Sequence, residues 1–154
     1  DPAIVTYIMK KTGATPDEMD DIMNKQSGML GVSGISSDAR DIEDGCKDGN
    51  PAALLTAEVY VNRVINVVGG YYAQLGGADA IVFTGGIGEN DTNMRKMICD
   101  RLSAAFGIQL DEELNGKTRG KEVLLSTAES KVAVWLIPTN EELMIARDTY
   151  RLIA

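Results

Sequence analysis

The stretch Ala80-Ile-Val-Phe-Thr84, followed by Gly85-Gly86-Ile87-Gly88-Glu89-Asn90, decides the fold of this chain. Its first five residues are rich in β-branched and aromatic side chains and predict a short buried strand. Three glycines follow within four positions, and they predict a glycine-rich turn ahead of a helix. Glycine lets the backbone come close to a ligand, and a helix N-terminus favours an anion. The stretch therefore predicts a phosphate site, with a tight corner that binds nothing as the alternative.

The glycine pattern differs from the two common nucleotide-binding fingerprints. A dinucleotide site has G-x-G-x-x-G, and Asn90 stands where the third glycine would be. A Walker loop ends in Lys-Ser or Lys-Thr, and the first lysine after the glycines is Lys96. The spacing alone therefore matches neither fingerprint and leaves the phosphate site and the corner that binds nothing both open.

Composition excludes several classes of function. With 154 residues, 44% of them hydrophobic, the chain is long enough for one globular domain. Its net charge of −8, from 23 acidic and 15 basic residues, disfavours nucleic acids and anionic membranes as partners. We expect no transmembrane segment, because no apolar run is long enough. Cys46 and Cys99 are too few for a disulfide scaffold or a zinc site, and without histidine no Ser-His or Cys-His nucleophile exists.

The other segments predict a helix-rich α/β fold. The longest helix is expected from Asn50-Pro51 to about Leu75, with apolar residues every seven positions on a face that serves as core. Residues 122–126 and 131–137 predict two more strands, the second central because it is nearly all apolar. Residues 26–37 and 111–119 are expected to be loops. The order of these helices and strands resembles one flank of a sheet whose other strands lie outside the chain.

A further helix is expected after Pro138. Thr139-Asn140-Glu141-Glu142 has the pattern of a capping box, in which Thr139 caps the helix and Glu142 is its partner. The chain begins at Asp1 rather than at methionine, and we therefore expect a processed chain or a piece of a longer one.

Three motifs together resemble the acetate kinase family. They occur in that family's order and at about its spacing, across the whole chain: Ser33-Gly-Ile-Ser-Ser-Asp-Ala-Arg-Asp-Ile-Glu43, Val82-Phe-Thr-Gly-Gly-Ile-Gly-Glu-Asn90 and Pro138-Thr-Asn-Glu-Glu-Leu143. The resemblance covers only the C-terminal two-fifths of such an enzyme. It implies the ribonuclease H-like fold of the actin, sugar-kinase and Hsp70 superfamily, in which two related α/β domains close on ATP. Residues 1–154 would then be the C-terminal nucleotide-binding portion of a two-domain kinase and an incomplete domain.

The resemblance also implies a role for each motif. The loop Gly85, Gly86, Ile87, Gly88, Glu89 and Asn90 would hold the phosphates of ATP or ADP. Asp38, Ala39 and Arg40 would lie against the adenosine. From the residues alone, Asp38 is a carboxylate at a helix start and Arg40 is a solvated side chain. Glu141 would hold Mg²⁺ through water, where the alternative is a carboxylate that complements the helix dipole. Asp91 replaces the serine that is common in the family, and it is an equally good N-cap.

The implied reaction is phosphoryl transfer between ATP and acetate, giving ADP and acetyl phosphate. The family's catalytic residues belong to segments N-terminal to this chain, so we expect no catalytic residue here and no turnover by this chain alone. Propionate kinase or butyrate kinase is the close alternative, and a non-catalytic nucleotide-binding module of the same fold is the more distant one. The resemblance further implies a cytoplasmic homodimer, for which the apolar face of residues 54–75 is a candidate surface.

Overall fold

The structure, a computed structural model, describes residues 1–153, and within them nine helices accompany one three-stranded sheet. The chain divides into two compact units, Asp1–Asn62 and Arg63–Ala154. The helices are α1 (Ala3–Thr12), α2 (Pro16–Lys25), α3 (Gly28–Ser33), α4 (Ala39–Lys47), α5 (Pro51–Leu75), α6 (Gly85–Asn90), α7 (Thr92–Phe106), α8 (Glu112–Lys117) and α9 (Glu141–Ile153). The strands are β1 (Ala80–Phe83), β2 (Val123–Leu124) and β3 (Ala133–Leu136). Within these residues, no helix has the length and apolar character that a membrane span requires.

The first unit is built from helices around a small apolar core that includes Met19, Ile42 and Val61. The predicted loop at residues 26–37 is wrong in part, because α3 occupies Gly28–Ser33. Small residues do not prevent a single helical turn, and Gly34 ends it in the left-handed conformation, with φ +64°.

The sheet of the second unit has the order β1-β3-β2, so β3 is central as predicted. β1 and β3 run parallel, and Phe83 pairs with Leu136 at their carboxyl ends. β2 pairs antiparallel with β3. Val134 and Leu136 are fully buried, which explains why this segment is almost entirely apolar. The helix-rich α/β class is therefore confirmed, with strands shorter than the sequence suggested.

Two segments that were expected to be loops are helical. The glycine-rich stretch Gly85–Asn90 forms α6, and residues 111–119 contain α8. Asp111 caps α8 by accepting a hydrogen bond from the Leu114 N–H at 2.9 Å. Because glycine has a low helix propensity, the glycine-rich pattern predicted a turn. The structure has a helix there instead, and bonds to residues outside α6 hold it.

The long helix α5 has the predicted bounds but only part of the predicted core face. Val61 is fully buried, whereas Leu54 and Leu75, at the two ends of the predicted face, are 46% and 74% exposed. Near its C-terminal end, the Tyr72 ring stacks on Phe106 of α7, with ring centroids 3.8 Å apart. The prediction that the whole face is core is therefore wrong at its ends.

Candidate functional site

A pocket of about 440 Å³ lies where the chain leaves β1 and where it leaves β3. Because these strands are parallel neighbours, their carboxyl ends lie at the same edge of the sheet, where α/β folds commonly bind ligands. A hydrogen bond from the Ile137 N–H to the Phe83 carbonyl, at 3.0 Å, continues the pairing past β3. The pocket is lined by Gly85, Gly86, Glu89, Thr139, Asn140, Glu141 and Glu142.

The two sides of the pocket are joined by the Glu89 carboxylate. Its Oε1 accepts hydrogen bonds from the Gly85 N–H at 2.9 Å, the Thr139 N–H at 2.8 Å and the Thr139 hydroxyl at 3.1 Å. These donors, the Thr139 N–H above all, stabilise the charged form and lower the pKa of Glu89 from its ordinary value. Glu89 is thus an ionised carboxylate whose Oε1 connects the start of α6 to the segment that precedes α9.

The predicted capping box of α9 is wrong by one residue. The helix begins at Glu141, so Asn140 is its N-cap, and the Asn140 Oδ1 accepts a hydrogen bond from the Leu143 N–H at 3.1 Å. Thr139 bonds to Glu89 instead of capping, and Glu142 therefore has no capping partner in Thr139. Glu141 and Glu142 occupy the first two helical positions, and both are exposed at the pocket.

Two glycines of α6 are required by its geometry. Gly85 has φ +70°, in the left-handed region that other residues rarely adopt. At Gly88, a Cβ would lie 3.3 Å from the Phe83 carbonyl carbon, so glycine permits α6 to lie close to the end of β1. At Gly86, in contrast, a Cβ would meet no atom within 4 Å, and this side of α6 is open.

A fully buried arginine, which the sequence analysis did not identify, holds the other end of α6. The Arg95 Nη1 donates to the Gly88 carbonyl at 2.8 Å, and Nε donates to the Asn115 Oδ1 at 2.8 Å. Nη2 donates to the carbonyls of Asn115 and Thr118 at 3.2 and 2.7 Å. Burial lowers the pKa of Arg95. The helical spacing of Arg95 with the buried residues Ile98 and Leu102 was the signal that could have revealed it.

Two residues at the junction of α6 and α7 also have local roles. The Asn90 amide donates to the Gly86 carbonyl at 3.0 Å. Asp91, 6% exposed, accepts a hydrogen bond from the Met94 N–H at 2.8 Å, so the prediction that Asp91 is a good N-cap is confirmed.

Asp38, Ala39 and Arg40 belong to the first unit. Asp38 is the N-cap of α4, where its Oδ1 accepts a bond from the Arg40 N–H at 2.9 Å. The Arg40 guanidinium returns to the same carboxylate, with Nε 3.0 Å from Oδ1, and lowers the pKa of Asp38 to about 2. Ala39 is half-buried, and the Arg40 side chain is exposed. Of the predicted site residues, the pocket lining includes Gly85, Gly86, Glu89 and Glu141 but not Ile87, Gly88 or Asn90. The motif Asp38–Arg40 belongs to the other unit.

The pocket has oxygen donors that suit a hard cation. Within residues 1–153, no cluster of three or more His, Cys, Asp or Glu residues could enclose a metal ion. Mg²⁺ is usually held by one or two carboxylates, together with waters and substrate phosphates, rather than by a complete protein cage. Exposed Glu141 at the pocket fits such a partial site.

The fold and the pocket together define the class of this protein. It is a helix-rich α/β protein with a polar pocket at the carboxyl ends of parallel strands. A family model described as the acetokinase family matches residues 1–147, and the chain belongs to this family. The resemblance inferred from the three motifs is thereby confirmed.

The relatives are acetate kinases and a propionate kinase. The chain is 53% identical to acetate kinase from Treponema denticola and 51% identical to that from Clostridioides difficile, each over 99% of this chain and 38% of the relative. The crystal structure of Porphyromonas gingivalis acetate kinase matches all of this chain, and 38% of its own, with a TM-score of 0.89 and 44% identity. A propionate kinase from Francisella tularensis matches 95% of this chain, and 36% of its own, with a TM-score of 0.84 and 38% identity. The chain therefore spans about two-fifths of the length of these relatives.

Proposed function

We propose that residues 1–154 form the C-terminal nucleotide-binding portion of a two-domain kinase that transfers a phosphoryl group between ATP and acetate. The observation that carries the proposal is the pocket at the carboxyl ends of β1 and β3, in a chain of the acetokinase family. The relatives at 53% and 51% identity are acetate kinases, which favours acetate over propionate or butyrate as the acceptor. From the resemblance to the family we also propose that the intact protein is a cytoplasmic homodimer. The net charge of −8 of this chain disfavours nucleic acid and anionic membranes as its partners.

In this proposal, the backbone of Gly85–Asn90 holds the nucleotide phosphates. The open side of α6 at Gly86 lets a phosphate approach the main chain without a side chain in the way. The segment Asp38–Arg40 lies against the adenosine. Its ion pair with Arg40 keeps Asp38 in the charged form at the start of α4.

Glu141 binds the metal through water in this proposal. When bound, Mg²⁺ supplies positive charge to phosphate oxygens that the acidic pocket alone would repel. Gly85–Asn90 and Glu141 orient the phosphates so that a carboxylate oxygen of the acceptor attacks in line. The residues that activate or stabilise this attack are expected outside the chain, and none of residues 1–154 is proposed as catalytic.

Calorimetric titration with Mg²⁺–ADP tests the proposed pocket in the intact protein that carries this sequence. Gly86→Val places a side chain in open space that lines the pocket, and we expect its Kd to rise about tenfold or more. Gly116→Val in α8 is the matched control, because a Cβ there also meets no atom within 4 Å and Gly116 is outside the pocket lining. An unchanged Kd in Gly86→Val, or no binding by the unsubstituted protein, contradicts the proposal.

Two further measurements test whether Glu141 binds the metal and whether the catalytic residues lie outside this chain. Glu141→Gln is expected to raise the Mg²⁺ concentration at which ADP binding is half-maximal, whereas Glu142→Gln, with the same change of charge one residue away, has a smaller effect. In an acetyl phosphate assay, the isolated 154 residues are expected to be inactive. Product formation by them would show that the catalytic residues lie within this chain.

A further inference from the structure

One oxygen atom links two segments that are 50 residues apart in the sequence. The Glu89 Oε1 accepts the Gly85 N–H, the first of α6, and both the N–H and the hydroxyl of Thr139. Gly85 opens the proposed phosphate site, and Thr139 lies two residues before Glu141, the proposed metal residue. The contact therefore spans the pocket from its phosphate side to its metal side.

Within residues 1–153, this contact is what ties the segment before α9 to the start of α6. Every residue from Glu141 to Ile153 is exposed, so burial of α9 does not fix the position of Glu141 within residues 1–153. The bonds that hold the preceding segment are the one between the Ile137 N–H and the Phe83 carbonyl and the two from Thr139 to Glu89. The first continues the strand pairing, and the Glu89 bonds reach Thr139, the residue next to the N-cap.

The three bonds all fall on Oε1, one of the two oxygens of the carboxylate. Hydrogen bonds to a carboxylate are charge-assisted and strong, and an oxygen that already accepts three of them is poorly placed to bind a cation, so a direct contact from Glu89 would have to come from Oε2. Donors on the carboxylate also compensate its negative charge beside the proposed phosphates.

We propose that Glu89 is a positioning residue, which sets the distance between the phosphate-binding start of α6 and the metal-binding start of α9. The inference rests on the proposed function, since it assigns Glu89 a role within the same pocket. In this inference the Glu89 side chain acts through Gly85 and Thr139 and not by its own contact with the nucleotide or the metal, whereas the Glu89 backbone stays part of the proposed phosphate-binding loop.

Two substitutions at this position separate positioning from direct binding. Glu89→Gln keeps an Oε1 that accepts the same three bonds, and Glu89→Ala removes it. In titrations of the intact protein with ADP at varied Mg²⁺, we expect Glu89→Ala to raise both the Kd and the half-saturating Mg²⁺ concentration about tenfold, and Glu89→Gln to stay within about threefold of the unsubstituted protein. Thr139→Val, which loses the hydroxyl donor and keeps the N–H, is expected to lie between them.

The outcomes distinguish this inference from the proposed function. If Glu89→Gln is as weak as Glu89→Ala, the charge itself contacts the ligand or the metal, and positioning is wrong. If Glu89→Ala binds Mg²⁺–ADP as the unsubstituted protein does, the contact has no role, although the proposed function stands. If the unsubstituted protein does not bind Mg²⁺–ADP, both are wrong. Should Glu89→Ala fail to fold, a Kd for Glu89→Gln that is about tenfold or more above that of the unsubstituted protein contradicts the inference.

Discussion

Replacing the buried Arg95 by methionine tests whether this side chain holds α6 and α8 together. Methionine has a similar length and fills the space, but it donates none of the four hydrogen bonds that Arg95 makes. Four acceptors then lose their partner, at about 1 kcal/mol each, or about 4 kcal/mol in total. Removing a buried charge returns part of its desolvation cost, so we expect a net loss of about 2–4 kcal/mol in the free energy of unfolding.

The assay is urea unfolding, followed by the fluorescence of Trp135, the single tryptophan among these 154 residues, which is half-buried in β3. Equal slopes of free energy against urea would show that the variants unfold to similar states. Arg101→Met is the matched control on the same helix, where the exposed arginine is expected to contribute less than about 0.5 kcal/mol. A loss below about 1 kcal/mol for Arg95→Met would refute the reasoning, because water would then satisfy the four acceptors.

Three further predictions concern backbone strain and ionisation. Gly85→Ala is expected to cost about 1–2 kcal/mol in urea unfolding, because φ is +70°, whereas Gly86→Ala, with equal free space, is neutral or stabilising. Burial raises the pKa of the Cys99 thiol to about 12. After alkylation of the native protein at pH 8, mass spectrometry should therefore find Cys46 modified and Cys99 unmodified. Alkylation of both cysteines at equal rates would contradict this. The pKa of Asp38 is about 2 in the folded chain and ordinarily 3.8. The stabilising effect of the Asp38 carboxylate is therefore present above about pH 4 and is lost as the pH falls towards 2. A carboxyl NMR titration measures this pKa.

Local patterns in the sequence predicted the larger elements correctly. The strand β3 and the middle of the helix α5 follow from their apolar residues, because these side chains pack against a core. The strand β1 has the predicted position, but the prediction that it is buried is wrong, since β1 lies at the edge of the sheet and Val82 is 48% exposed. The Asp91 cap also follows from the sequence alone, since its bond reaches only to Met94. These features depend on neighbours a few positions away.

The features that the sequence did not predict depend on distant residues. A run with three glycines forms α6, where Glu89 bonds to Thr139 and Arg95 bonds to Gly88. The cap of α9 falls on Asn140 because the Thr139 hydroxyl is already bonded to Glu89. No propensity scale contains a bond between residues that are 50 positions apart.

The parallel pairing of β1 with β3 has a consequence for the order of folding. Glu89 meets Thr139 only after a loop of about 50 residues has closed, and the entropy of that closure grows as (3/2)RT ln n, or about 3.5 kcal/mol beyond a constant. Helices such as α7 need no such closure and form their contacts sooner. The pocket is therefore assembled late, after the segments on either side of it have acquired their own structure. A nascent chain would acquire this pocket only when β3 has emerged and paired with β1.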